Sequence, residues 1–476
     1  MCAAGGWDRL AGCGWRGGVS VALVVAVDFG STFTKAVAVD SGSGELVARA
    51  EHRTTIDTDV MDGWQACRAV LEAADRGVRN AEVLACSSAG GGLRIGVVGN
   101  EELVTAEAGK RVALSSGGRV VAVVSGGLSA ASQKELRKDR PDVVLLLGGT
   151  DGGNSAVLLK AAETLAKYKW RKPVVVAGNI EAQTEITETL TAADVPHVLA
   201  ENVVPEIGVF APDSARAAIR EMFLEHVIGG KNLSRDPSFA RMVRAATPDV
   251  VLRGVEVLAA LHGDVAVVDI GGATTDVHSV IELDPEDANL GREVVAPHPV
   301  TRTVEGDLGM RWSAVPVVAA GAEAGLIANA DEVHAAAERR RADPSYLPDS
   351  GREASYDETL ASVAATVALR RHAGRQRIVF GPGGRVIERS GKDLREVDLL
   401  VGSGGVLRHN PPEVAARILG SIGTNAQEEG WLVPQRAEVC VDADYVLAAV
   451  GLLADDAPKA AEGLAAHIHG TGPSGH

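Results

Sequence analysis

The chain has 476 residues, and its 47 Lys+Arg against 63 Asp+Glu give a net charge of −16. That length predicts about two or three domains, each able to bury a core, and a 46% hydrophobic fraction excludes an intrinsically disordered chain. The negative balance, with no basic run, argues against nucleic acid as a partner.

Five cysteines, at 2, 13, 67, 86 and 440, contain no C-x-x-C pair, so reduced thiols in a cytoplasmic protein are expected. Aromatic residues make up only 3% of the chain, which leaves an aliphatic core. No apolar stretch reaches the ~20 residues of a membrane span, because Pro316 and Glu323 interrupt the longest Ala/Val-rich segment. No membrane association is expected.

Residues 1–18 lack any periodic pattern and read as a loose extension. Their Gly12-Cys13-Gly14-Trp15-Arg16-Gly17 string matches G-x-G-x-x-G without a strand before it, so it predicts no dinucleotide site. The apolar run Val19 to Val27 ends in Asp28-Phe29-Gly30 with no cleavage pattern, and it reads as a first strand. Lys35 to Asp40 and Leu46 to His52 follow as strands joined by a Ser/Gly turn, and Trp64 to Ala74 has helical spacing. From Ala81 to about Phe223, short Val/Leu runs (83–85, 120–124, 143–147, 174–177, 197–199) alternate with helical stretches, which predicts parallel strands with crossover helices. A break at Gly229 to Leu233 precedes another buried strand, Val265 to Ile270. Asp331 to Arg341 and Thr359 to Arg371 read as polar-faced helices, Val397 to Arg408 as a strand with a Gly-rich end, and Pro458 to His476 as a frayed tail in which His467 and His469 are solvated.

One pattern recurs. An apolar run ends in Asp and then a glycine and hydroxyl corner, first at Asp28 with Gly30, Ser31 and Thr32, then at Asp269 with Gly271, Gly272, Thr274 and Thr275. A carboxylate beside a row of backbone N–H groups suits phosphate oxygens and a hydrated Mg²⁺. Two such corners facing one another would grip a triphosphate from both sides, with Lys35 near enough to offset its charge. Gly402-Ser403-Gly404-Gly405, lacking Cβ atoms at three positions, would admit a purine or ribose closely.

These three motifs, in this order, resemble the phosphate-one, phosphate-two and adenosine motifs of the actin/sugar kinase/heat-shock ATPase superfamily. Four further strings, Leu146–Asn154, Glu201–Gly208, Thr303–Gly309 and Asp442-Ala443-Asp444-Tyr445, narrow the resemblance to the GlmL (MutL) family over about Val24 to Leu453. The resemblance implies an α/β fold of two RNase-H-like, actin-like ATPase subdomains flanking a nucleotide cleft, with an inserted α/β region. The expected division is an extension over 1–20, subdomains over 21–228 and 229–456, and a flexible tail over 457–476.

The resemblance further implies ATP and Mg²⁺ as cofactors. Asp28 and Asp269 would lie on the metal and water side, Lys35 and the two corners on phosphates, and Gly402 to Gly405 near adenosine. It implies the role of an ATP-using chaperone or reactivase for an adenosylcobalamin-dependent mutase, glutamate (methylaspartate) mutase first. The chain carries no D-x-H-x-x-G cobalamin string, so that cofactor is expected on the partner. Glu305 and Asp307 are either groups that orient water or metal, or structural carboxylates. Gly148 to Asn154 is either an insert or a partner-facing loop.

Two other classes remain open. One is a small-molecule kinase or an ATP-dependent hydantoinase or oxoprolinase, against which no base beside an acceptor hydroxyl can be placed. The other is a non-catalytic nucleotide-binding scaffold.

Overall fold

The computed structural model describes residues 22–89, 92–228, 233–283, 298–381 and 384–470. The N-terminal extension with Cys2 and Cys13, most of the 229–233 break and the last six residues of the tail lie outside them.

Val, Ala and Leu runs build the strands in chain order: β1 (Leu23–Phe29), β2 (Phe33–Asp40), β3 (Leu46–Arg53) and β4 (Glu82–Ser87), with helix α1 (Val60–Ala74) between the last two. The Asp59 side chain caps α1 by accepting from Met61 N. An inserted block supplies β5 (Leu93–Val98), β6 (Gly118–Val124), β7 (Val143–Leu146), β8 (Val174–Val176) and β9 (His197–Leu199), all parallel, in the order β6-β5-β7-β8-β9. The alternation of apolar runs and helices predicts that parallel sheet.

β10 (Val243–Ala246) then pairs with β4 and completes the first sheet, β3-β2-β1-β4-β10. The boundary expected at 228/229 is therefore too early, since the first sheet takes a strand from beyond it. A helix, α2 (Thr247–His262), leads into β11 (Val265–Ile270), β12 (Thr275–Val280) and β13 (Val300–Glu305). Next come α3 (Gly351–His372), the hairpin β14 (Arg375–Gly381) and β15 (Gly384–Ser390), β16 (Leu399–Ser403) and β17 (Glu438–Val441). Helices α4 (Leu447–Leu453) and α5 (Pro458–Gly470) end the described chain.

The second large sheet runs β13-β12-β11-β16-β17. Both sheets have the same scheme, an antiparallel meander of three strands followed by two strands parallel to the first. Alternation along the central strands divides the core. Val25, Val27 and Phe29 face a core belonging to the first half, and Ala266, Val268 and Ile270 one belonging to the second. Val24, Ala26, Val265 and Val267 turn to a shared layer built from α2, α4 and α5. In that layer α2 and α4 cross through facing glycines: a Cβ on Gly254 would overlap Leu447 O, and one on Gly451 would overlap Val250 O.

Two expectations need correction. Residues 458–470 are not a frayed tail but a helix that buries Ala460, Ala461, Leu464, Ala465 and Ile468, and His467 is bonded to Asp444 at 2.7 Å instead of being solvated. Ala and Gly give that segment little periodic contrast, and only the shared layer stabilises it. Likewise α3 is no polar-faced helix, because almost every residue from Leu360 to His372 is buried in the second core. Among the described residues no helix is long and apolar enough to cross a membrane.

Candidate functional site

Asp28 and Asp269 hold equivalent positions at the ends of β1 and β11. Each strand continues into a corner closed by one hydrogen bond, Gly30 N to Phe33 O at 3.1 Å and Gly271 N to Thr274 O at 2.9 Å. Both glycines are required by space, since a Cβ would lie 2.5 Å from Phe33 O in the first and 2.8 Å from Thr274 O in the second. The chain then returns so that Asp28 faces Lys35 across the first meander and Asp269 faces Asp276 across the second.

Each corner is held through its carbonyl groups. Thr54 donates from Oγ1 to Gly30 O (2.8 Å) and from N to Thr32 O (2.9 Å). In the second half, Met310 N reaches Gly271 O at 2.9 Å, Arg311 N and Trp312 N reach Gly272 O at 2.8 and 3.0 Å, and Ser313 Oγ reaches Ala273 O at 2.7 Å. The Thr303–Gly309 string is thus the lead-in to a brace. Its acids, Glu305 and Asp307, both bind Arg371, at 2.7 Å each. That ion pair holds Asp307 below the usual carboxylate range, whereas burial pushes Glu305 up.

The Lys35 ammonium feels the charge of both Asp28 and Asp269 and stands 3.0 Å from the ring centroid of Tyr445. Burial lowers the Lys35 pKa and the two carboxylates oppose the shift. Asp28, 6% exposed, is raised by burial, against Lys35 and against hydrogen bonds from Thr247 Oγ1 (2.6 Å) and Cys86 Sγ (3.6 Å). Asp269 is pushed up to about 6, first by burial and then by Asp276, while Lys35 and a hydrogen bond from Ser403 lower it. Asp276 in turn is bound by the buried Arg302 at 2.5 Å.

The remaining residues singled out from the sequence divide by exposure. Ser31 and Thr32 are exposed on the first corner. Gly272 lies beneath the Trp312 ring, Thr274 Oγ1 donates to Asp276 Oδ2 (3.1 Å), and the buried Thr275 donates to Leu308 O (2.8 Å), so the Thr275 hydroxyl belongs to the brace. Gly402 and Gly404 are buried: Gly402 packs against Leu407 and Leu419, and Gly404, at φ 108°, passes Ile270 O where no Cβ fits. Gly405 is exposed, and a Cβ there would meet only His409 Cδ2, at 3.8 Å. Close approach of a flat ligand is therefore possible at Gly405 and not at Gly402 or Gly404.

Sequence reasoning missed Thr247, Arg302 and the role of the D-A-D-Y string. Asp442 is buried and accepts from Val446 N (2.8 Å) and Leu447 N (3.1 Å), capping the entry to α4. Asp444 binds Arg49 and His467. Tyr445, at φ 56°, carries the ring under Lys35. An Asp placed just before an apolar helix signals such a cap. Beside these groups lies a cavity of about 320 Å³, lined in part by Asp28, Lys35, Arg49, Arg408, Asp444 and Tyr445.

The other two strings meet one another in the inserted sheet. Asn202 Nδ2 binds Gly149 O (3.0 Å) and Asp151 Oδ1 (2.8 Å), Asn179 Nδ2 binds Gly153 O (3.1 Å), and Asp151 N binds Pro205 O (2.9 Å).

The model of the MutL protein family matches residues 24–468, and Protein MutL of Clostridium tetanomorphum is 37% identical over 449 residues, covering 91% of this chain and 96% of that protein. The chain belongs to the MutL family. Three solved structures resemble this MutL-family chain at low identity. Nucleotide-free acetone carboxylase is 16% identical at TM-score 0.40, over 91% of this chain and 70% of the other. Xylulose kinase of Bifidobacterium adolescentis is 12% identical at TM-score 0.31, over 94% of each chain. The 2-hydroxyisocaproyl-CoA dehydratase activator of Clostridium difficile with bound ADPNP is 10% identical at TM-score 0.30, over 95% of this chain and 99% of the other. At such scores the fold rests on strand order. Two sheets of one order, joined by crossing helices and interrupted by a parallel insert, make this an α/β protein of the actin-like ATPase class.

Proposed function

We propose that this chain binds and hydrolyses Mg²⁺-ATP between its two acidic corners, and that it serves in the cytoplasm as the accessory, reactivase-like protein of an adenosylcobalamin-dependent mutase, glutamate (methylaspartate) mutase first. The observation that carries the reading is the mirrored pair of strand ends, each closing an Asp into a glycine corner at the same register, with Lys35 facing Asp28 across the first meander. Asp28, Asp269, Asp276 and Asp442 outnumber Lys35, Arg302 and Arg408 by one charge when all are ionised. That surplus favours a hydrated cation.

Mg²⁺ is held by one or two carboxylates with water and phosphate oxygens, so the pair suffices although no group of three or more His, Cys, Asp or Glu among the described residues is placed to hold a metal. Asp28 and Asp269 would hold the ion through its hydration shell, and the ion would neutralise charge developing on the phosphates. Ser31 and Thr32, exposed on the first corner, face incoming phosphate without competing core contacts. Lys35 offsets phosphate charge from its seat on Tyr445, and Gly405 leaves room for the nucleoside.

Asp28 is also bonded to the first residue of α2, the helix that joins the two halves. A change in what Asp28 binds is thereby felt at the junction, which provides a route from hydrolysis to opening and closing of the halves. The test is release of phosphate from Mg²⁺-ATP by the purified chain, alone and with mutase carrying inactivated cobalamin. Hydrolysis together with recovery of mutase activity supports the reading. Stoichiometric nucleotide binding without turnover, mutase present, overturns it.

A further inference from the structure

β14 and β15 pair with each other, with Ile378 opposite Ile387 and Phe380 opposite Arg385. The base of this hairpin is tied to the second half: Arg375 forms a bridge with Trp431, Gln376 N donates to Gly430 O (2.7 Å), and Gly374 N donates to Lys392 O (2.6 Å). Strand alternation puts Ile378 and Phe380 on one face, and Ile387 joins them across the ladder. These side chains are 49%, 85% and 48% exposed, and Phe380 is the most exposed large apolar side chain among the described residues. Single exposed apolar residues are ordinary, whereas three together on one projecting face form a contact surface without its contact.

Charge indicates what belongs there. From Arg375 to Asp393 the sequence has Arg375, Arg377, Arg385, Arg389 and Lys392 against Glu388 and Asp393, in a chain whose net charge is −16. Arg377 is bound to Glu388 at 2.8 Å and Arg389 lies 3.8 Å from Asp393, and five cations against two acids still leave the segment positive. An exposed apolar patch on a hairpin of net positive sequence charge, in a protein otherwise acidic, is complementary to an apolar seat edged with carboxylates.

We propose that this hairpin docks the chain onto its partner protein, in an apolar groove of a mutase subunit rimmed by acidic side chains. The inference rests on the accessory reading above and adds to it the contacting surface and the chemistry of the contact. Phe380 is the anchor, and the arginines steer it.

The test titrates the full-length chain, its Phe380→Ser variant and its Ile378→Ser/Phe380→Ser variant with purified subunits of an adenosylcobalamin-dependent glutamate mutase from the same organism, in the presence of Mg²⁺-ATP. Wild type should bind, more weakly as salt rises. The double variant should bind at least about tenfold more weakly, the scale of losing an aromatic anchor, while its thermal melt and partner-free ATP hydrolysis match wild type. Equal binding by all three chains overturns the docking assignment and leaves the accessory reading standing. Absence of wild-type binding to either subunit, from a chain that hydrolyses ATP, overturns both. Loss in the variant of self-association or of binding to anionic lipid vesicles, with mutase binding unchanged, assigns the surface to a second copy or to lipid and overturns the proposal.

Discussion

The two five-stranded sheets follow one plan and part company seven residues after each acid. Across from Asp28 stands Lys35, and across from Asp269 stands Asp276. A shared register thus delivers a cation in one half and a second carboxylate in the other. The consequence is chemical: burial raises both acids, but Lys35 opposes the shift at Asp28, whereas Asp276 adds to it at Asp269 and takes that carboxyl to about 6. The scaffold fixes where the acids sit, and the facing strand sets how readily each holds a proton.

The comparison breaks most visibly at Arg302, which binds Asp276, whereas its register equivalent in the first half, Arg49, turns to Asp444. Arg302→Met leaves Asp276 beside Asp269 without its 2.5 Å partner, and it should cost about 3–5 kcal/mol of stability, the usual penalty for halving a buried ion pair. Chemical denaturation reads this directly, and a loss below about 1 kcal/mol would show that the pair is solvated.

Next in size, Asp28→Asn and Asp269→Asn should each lower ATP hydrolysis by about a hundredfold or more, the scale of removing one preorganised charge from a phosphoryl-transfer site. Steady-state phosphate release is the measurement. A large loss in one variant and none in the other would mean that only one half does the chemistry.

Acid should weaken the second half selectively. Burial, reinforced by Arg302, depresses His278 from 6.5 to about 3. The unfolded chain therefore takes up a proton on His278 below pH 6.5 that the folded chain refuses until near pH 3, and stability falls as pH drops through that window. At pH 5 this single group contributes about 2 kcal/mol of destabilisation. Thermal melts at pH 7 and pH 5 should show a smaller drop for His278→Leu than for wild type.

The smallest effect compares the two braces. Thr54→Val removes the Oγ1 bond to Gly30 O, and Ser313→Ala removes the one to Ala273 O. Each should cost about 1 kcal/mol. Because backbone amides of residues 310–312 also hold the second corner, nucleotide affinity should suffer more from Thr54→Val. Equal losses in a binding titration would show that the extra amides add nothing.

Legibility from sequence followed locality. Both acidic corners could be read because each is a contiguous string, and β11 has the predicted limits of Val265 to Ile270. β10 was invisible, four residues whose only reason to be extended is β4, distant in sequence. Thr247 escaped notice for the same reason, since its partner is 219 residues away. Asp442 and Tyr445 were visible as a string but not as a site, because nothing local brings a tyrosine ring beneath Lys35. The 458–470 helix was misread because Ala and Gly announce no face until a second surface supplies one.

Where α2 passes α4, the closest approach is made by Gly254 and Gly451. There the two backbones approach directly, while Val250 and Val255 of α2 and Leu447 and Val450 of α4 pack in the apolar layer around the crossing. Any bulkier residue at either position would act as a wedge between the helices, so the fit of the two halves depends on two missing methyl groups.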